Sequence, residues 1–173
     1  MDLFEQLERA RAEFGARLRQ VGEDDWARPT PCDEWDVRAL VNHVVGGALR
    51  YTMLLDGATA DDVRATTVLD HLGADAVASF ERRAREVAAA FREPGALART
   101  VHHPNGDITG ERLLELRITE FAVHGWDLAR AIGADEALDA ALVEAMLARA
   151  GTPESPDGVP PLARLLRLTG RRP

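Results

Sequence analysis

The 173-residue chain has no lysine, and all 21 of its basic residues are arginine. Lysine codons are A-rich, so this absence suggests a GC-rich genome. Aromatic residues are scarce, at 5% against 46% hydrophobic residues overall. Ala, Leu and Val dominate instead, which favours helix over sheet. The single cysteine, Cys32, excludes an internal disulfide, and a reducing cytoplasm is the expected setting. No run approaches the ~20 apolar residues that span a bilayer. The start, MDLFEQLERARAEF, has neither the basic opening nor the apolar stretch of a signal peptide. With a net charge of -8 and scattered arginines, neither nucleic acid nor an anionic membrane is the expected partner.

What is present is helical periodicity. Leu3, Leu7, Ala10, Phe14, Leu18 and Val21 predict an amphipathic helix over Asp2–Val21. GEDDWARPTPCDEW reads as a long ordered loop holding Trp26 and Trp35. Asp36 is a good N-cap for a helix from Val37 to about Leu55, with Trp35 and Leu40 spaced as a hydrophobic staple. DGATADDVRATT follows as an irregular or weakly helical crossover. A third helix is expected from Leu69 to Phe91. Asn105-Gly106 marks a small β-hairpin. Thr109 can cap a fourth helix, Gly110 to about Ile132, closed by Gly133. A shorter fifth helix spans Asp135–Ala150, GTPESPDGVPP is a loop, and PLARLLRLTG adds a last turn or two. The expected fold is all-α, one domain over residues 1–173. Four main helices with one long crossover connection suggest a four-helix bundle.

Polar residues interrupt the apolar stripes. On the fourth helix Glu120 and His124 stand four residues apart, beside Leu113, Leu116 and Ala131. At this spacing two side chains can converge on one ion, although for these two residues alone a simple hydrogen-bonded pair is the plainer reading. On the second helix His43 borders the stripe, one turn before Gly47. A mid-helix glycine costs ~0.5–1 kcal/mol relative to alanine, so Gly46 and Gly47 leave room for close approach or a ligand. Taken together, His43, Glu120 and His124 form the two-imidazole, one-carboxylate set of a divalent metal site. Asp127 either orients His124 or pairs with Arg130 on the surface. Cys32 is followed by Asp33 and Glu34, acids that disfavour its thiolate. His102 and His103 belong to the hairpin, exposed or at the mouth of the site. His71 reads as a surface or capping residue, and Trp126 as packing.

TPCDEWDVRALVNHVVGG and TEFAVHGWDLARA resemble the two signatures of the mycothiol-dependent maleylpyruvate isomerase family, within the DinB-like superfamily. The likeness covers about Leu3–Leu168 and is nearest to small members carrying only the metal-binding domain. It implies a DinB-like four-helix bundle with a crossover. It also implies a divalent ion, zinc or alternatively nickel, held by His43, Glu120 and His124. Mycothiol would be the thiol cosubstrate, and an electrophile its target. Bundles of this superfamily often pair, so a homodimer is among the expectations. The isomerase's further C-terminal domain is missing from the pattern, which leaves the reaction open. A thiol transferase or isomerase, a non-catalytic or stress-associated metal-binding bundle, and a metal-dependent hydrolase are the readings. No side chain is singled out as catalytic.

Overall fold

Short polar side chains begin the helices where the sequence places them. The computed structural model describes residues 1–152 and 158–173. Asp2, Asp36, Asp75 and Thr109 each accept a backbone N–H in the first turn of α1 (Leu3–Leu18), α2 (Val37–Leu55), α4 (Ala76–Arg92) and α5 (Gly110–Ile132). α3 is a single short helix, Ala60–Ala65, within the α2–α4 connection. Gly133, at φ 72°, ends α5 in the left-handed conformation that glycine adopts without strain.

The four long helices bury one core around Leu7, Phe14, Leu40, Val44, Phe80, Val87, Leu114 and Phe121. α1 packs on α5 and α4, and α2 on α4 and α5, so the order round the bundle is α1, α5, α2, α4. The α2–α4 connection leaves the end of α2 and returns to its beginning. There Asn42 donates to the Leu69 carbonyl at 3.0 Å and accepts from the His71 N–H at 2.7 Å. α4 therefore runs parallel to α2, which is the expected crossover.

Several boundaries differ from expectation. α1 stops at Leu18, short of Val21. The predicted third helix from Leu69 begins only at Ala76, because residues 69–73 form the returning strap and Gly73 turns left-handed at φ 59°. The fifth helix, expected from Asp135, starts at Ala140 as α6 (Ala140–Arg149), capped by Asp139. The carbonyls of Asp135 and Ala137 instead accept hydrogen bonds from Arg17. α7 (Pro161–Leu168) packs on α6. Residues 153–157 of the predicted loop Gly151–Pro161 lie outside the described residues.

The hairpin is as expected: β1 (Thr100–His103) pairs antiparallel with β2 (Gly106–Thr109). Its turn differs from the Asn-Gly type I′ form. Among the described residues Asn105 lacks a positive φ, and Gly106 alone supplies it, at 113°.

Candidate metal centre

The site lies where α2 meets α5. His43 Nε2 stands 3.5 Å from Glu120 Oε1, longer than an ordinary hydrogen bond. The His43 and His124 rings meet edge to face with centroids 5.2 Å apart. Trp35 packs against both, at 4.7 Å and 6.0 Å. A tight turn aims that indole: Trp35 N–H bonds the Cys32 carbonyl, with Glu34 between them left-handed at φ 68°. Its strain is of the order of 1–2 kcal/mol.

Glu120 is held from behind by Arg117, a fully buried guanidinium. Nη1 donates to Glu120 Oε2 at 2.8 Å and Nη2 to the Val44 carbonyl at 2.9 Å. The guanidinium lies 3.9 Å over the Phe121 ring. Gly47 makes this possible, since a Cβ there would stand 2.7 Å from Arg117 Nη1. Gly46 likewise accommodates the His71 ring, 2.4 Å from its hypothetical Cβ. His71, expected at the surface, is thus half-buried and bonded to Thr66 O at 2.9 Å.

Asp127 is fully buried and resolves its two sequence readings. Its Oδ2 lies 3.0 Å from His124 Nδ1, while Arg130 pairs with Glu136 instead. Arg171 closes on Asp127 with two bonds, 3.2 Å to Oδ1 and 2.8 Å to Oδ2. It also reaches Cys32 Sγ at 3.3 Å. Cys32 Sγ is 3.2 Å from Asp127 Oδ2. Trp126 is buried under the Arg130 guanidinium, 4.2 Å from its ring, in the packing role expected.

Charges follow from these contacts. Burial alone would raise Glu120, but His43 and Arg117 outweigh it and hold the carboxyl at about 2. Burial lowers His43 despite the opposing pull of Glu120, so its imidazole is neutral at pH 7, the form that ligates metals. Burial and then Asp127 push Cys32 up to about 11. Its thiol is therefore protonated, through Asp127 rather than the neighbouring Asp33 and Glu34. Burial and then the Glu120 charge keep the Tyr51 phenol protonated as well.

A cleft of about 410 Å³ opens over Glu120 and His124. Tyr51, Leu116 and Val123 give it apolar surface, and His103, Thr119 and Arg171 polar surface. The hairpin histidines divide: His103 lines the cleft, while exposed His102 pairs with Asp107 at 2.9 Å. Periodicity could not reveal Arg171, which arrives from beyond α7. Arg117 carried a signal, being three residues before Glu120 on the same face. Among the described residues one donor set is drawn together, Cys32, His124 and Asp127, whose ligand atoms all lie within 4.8 Å of one another. The expected set of His43, Glu120 and His124 shares His124 with it, and its His43 and Glu120 ligand atoms stand 3.5 Å apart.

Comparison with known proteins agrees with this architecture. An uncharacterized protein of Mycobacterium tuberculosis, recorded from strains CDC 1551 / Oshkosh and ATCC 25618 / H37Rv, is 35% identical over 150 residues. The match covers 87% of this chain and 78% of the relative. The crystal structure of the mycothiol-dependent maleylpyruvate isomerase superposes with a TM-score of 0.65 at 18% identity. That superposition covers 89% of this chain and 71% of the isomerase, and a single-site variant of that enzyme matches equally. It carries the DinB-like fold. Residues 7–129 match the profile of the mycothiol maleylpyruvate isomerase N-terminal domain, and the chain belongs to that family.

Proposed function

We propose that His43, Glu120 and His124 hold one divalent ion, zinc foremost and nickel as alternative. The site would serve a small thiol of the mycothiol type in transfer or isomerisation of an electrophile. The observation that carries this reading is the 3.5 Å gap between His43 Nε2 and Glu120 Oε1. Two ligand atoms ~2.0–2.1 Å from one tetrahedral ion lie about 3.4 Å apart. The pair already has that spacing, without the short contact of a hydrogen bond.

The other donor set is less suited. An ion among Cys32, His124 and Asp127 would face the Arg171 guanidinium, which bonds both Cys32 and Asp127. It would also have to take a proton from a thiol held near 11. The first set offers a neutral imidazole and an ionised carboxylate at once.

A divalent ion, when bound, favours the thiolate or hydroxide form of a ligand at neutral pH. The chain's own residues prepare for it. Asp127 accepts a hydrogen bond from His124 Nδ1 and would so leave Nε2 free to hold an ion. Arg117 keeps Glu120 ionised and fixed in rotation. Trp35 and the apolar cleft wall would limit water around a bound thiol. The names of the family and of the isomerase sharing its fold both include mycothiol, which supports a thiol as the ligand.

The test is metal analysis of wild type and His43→Ala, followed by calorimetric titration with mycothiol. One equivalent of zinc in wild type, loss in the variant and saturable thiol binding are expected. Full zinc occupancy in His43→Ala would refute the triad. Zinc without thiol binding would refute the thiol role.

A further inference from the structure

We infer that a recess between α2 and the crossover strap is a carboxylate-binding subsite centred on Arg50. The site's other arginines are matched to acids: Arg117 to Glu120 at 2.8 Å and Arg171 to Asp127 at 2.8 Å. Arg50 is half-buried and, among the described residues, forms no ion pair within 4.0 Å. Its side chain folds back along α2. Nη2 donates to the His43 carbonyl at 3.1 Å, and Nη1 lies 2.8 Å from the position of a Cβ on Gly46. The missing side chain at Gly46 is what lets the guanidinium lie beside the His43 turn.

The recess has a volume of about 290 Å³ and is lined by Trp35, Ala39, Asn42, His43, Arg50 and Thr67. His43 is common to this recess and the proposed metal set. Asn42 is committed to the strap through both ends of its amide, so Arg50 is the charged donor that remains. A guanidinium presents five N–H groups in a planar fork suited to a carboxylate, and the His43 carbonyl engages only one nitrogen of it. The indole and methyl walls fit a short carbon chain behind the carboxylate. Any ion that neutralises Glu120 makes Arg50 a stronger anion site.

The role of the subsite rests on the proposed metal–thiol function: it would hold an acidic electrophile beside the sulfur. Its existence does not, and the experiment separates the two. Succinate and inorganic phosphate are titrated calorimetrically into zinc-loaded and metal-free wild type, Arg50→Gln and Arg50→Lys. Succinate is expected to bind both wild-type forms, more tightly with zinc. Arg50→Gln should weaken it about tenfold or more, with Arg50→Lys between, while zinc affinity stays within about threefold. Equal succinate affinity in wild type and Arg50→Gln overturns the subsite, as does phosphate binding without succinate binding. If zinc fails to bind wild type while Arg50-dependent succinate binding persists, the metal reading falls and the subsite stands.

Discussion

Between α1 and α4 the bundle is filled with rings and methyl groups. Between α2 and α5 it encloses a guanidinium, a carboxylate and two imidazoles. On the first side Phe14 and Phe80 stack with centroids 5.0 Å apart, next to buried Ala84 and Val87. On the second, Arg117 is wholly removed from solvent with Glu120 against it. Apolar burial contributes roughly 25 cal/mol per Å² and needs no partner. A buried charge costs several kcal/mol unless matched, and an apolar replacement of the pair is often as stable. The apolar wall therefore accounts for stability, and the polar wall calls for a reason beyond it.

The comparison can be broken most severely on the apolar side. Phe80→Ala should lower unfolding free energy by about 3–5 kcal/mol in urea titrations. The zinc bound per folded molecule should not change. If zinc falls in parallel with folded protein stability, the two walls are not separable. A smaller effect comes from two matched glycine substitutions. Gly47→Ala drives a Cβ to 2.7 Å from Arg117 Nη1 and 3.2 Å from Glu120 Oε2. About 1–3 kcal/mol of destabilisation is expected, with weakened zinc binding. Gly15→Ala meets the Phe80 ring edge at 3.1 Å, and alanine's helix preference of ~0.5–1 kcal/mol offsets that crowding. Its melting temperature should barely move, and its zinc affinity should match wild type.

How much of this contrast was legible beforehand depends on range along the chain. α5 could be read end to end, because Thr109, Gly133 and the apolar stripe are all local signals. His43, Glu120 and His124 were legible as polar residues on faces that ought to be apolar. The expected start at Leu69 misled, since apolar residues alone cannot tell a helix from a strap lying across one. Gly73 and Asp75 were the local clues to the later start. Arg171 meeting Asp127, Cys32 beside that carboxylate, and His71 filling the notch at Gly46 are long-range contacts. Nothing in periodicity encodes them.

Two finer tests sharpen the polar wall. Asp127→Asn keeps the shape but weakens the acceptor for His124. Zinc affinity should fall about 10–100-fold by competition with a chromophoric chelator, and an unchanged affinity would deny Asp127 its orienting role. The gentlest test is pH on metal-free protein. Glu120 is held near 2 and His43 is lowered by burial. Both therefore contribute stability that is complete above their ordinary values. The His43 share fades as pH falls below its ordinary 6.5, and the Glu120 share fades from 4.5 toward 2. Urea midpoints should drift down with acidification in wild type, and less in a His43→Gln, Glu120→Gln double variant. Equal drift in both would assign the acid sensitivity elsewhere.

The ring order of the helices, α1, α5, α2, α4, has a kinetic consequence. The facing imidazole and carboxylate come from helices separated by the strap, α4 and the hairpin. A chain stopping before Gly110 would hold one member of the set and none of its partners. Fraying of a single helix end leaves the constellation intact, whereas separating α2 from α5 dismantles core and constellation together. Binding competence should therefore appear only as the whole bundle forms, which makes ion uptake during refolding a report of its completion.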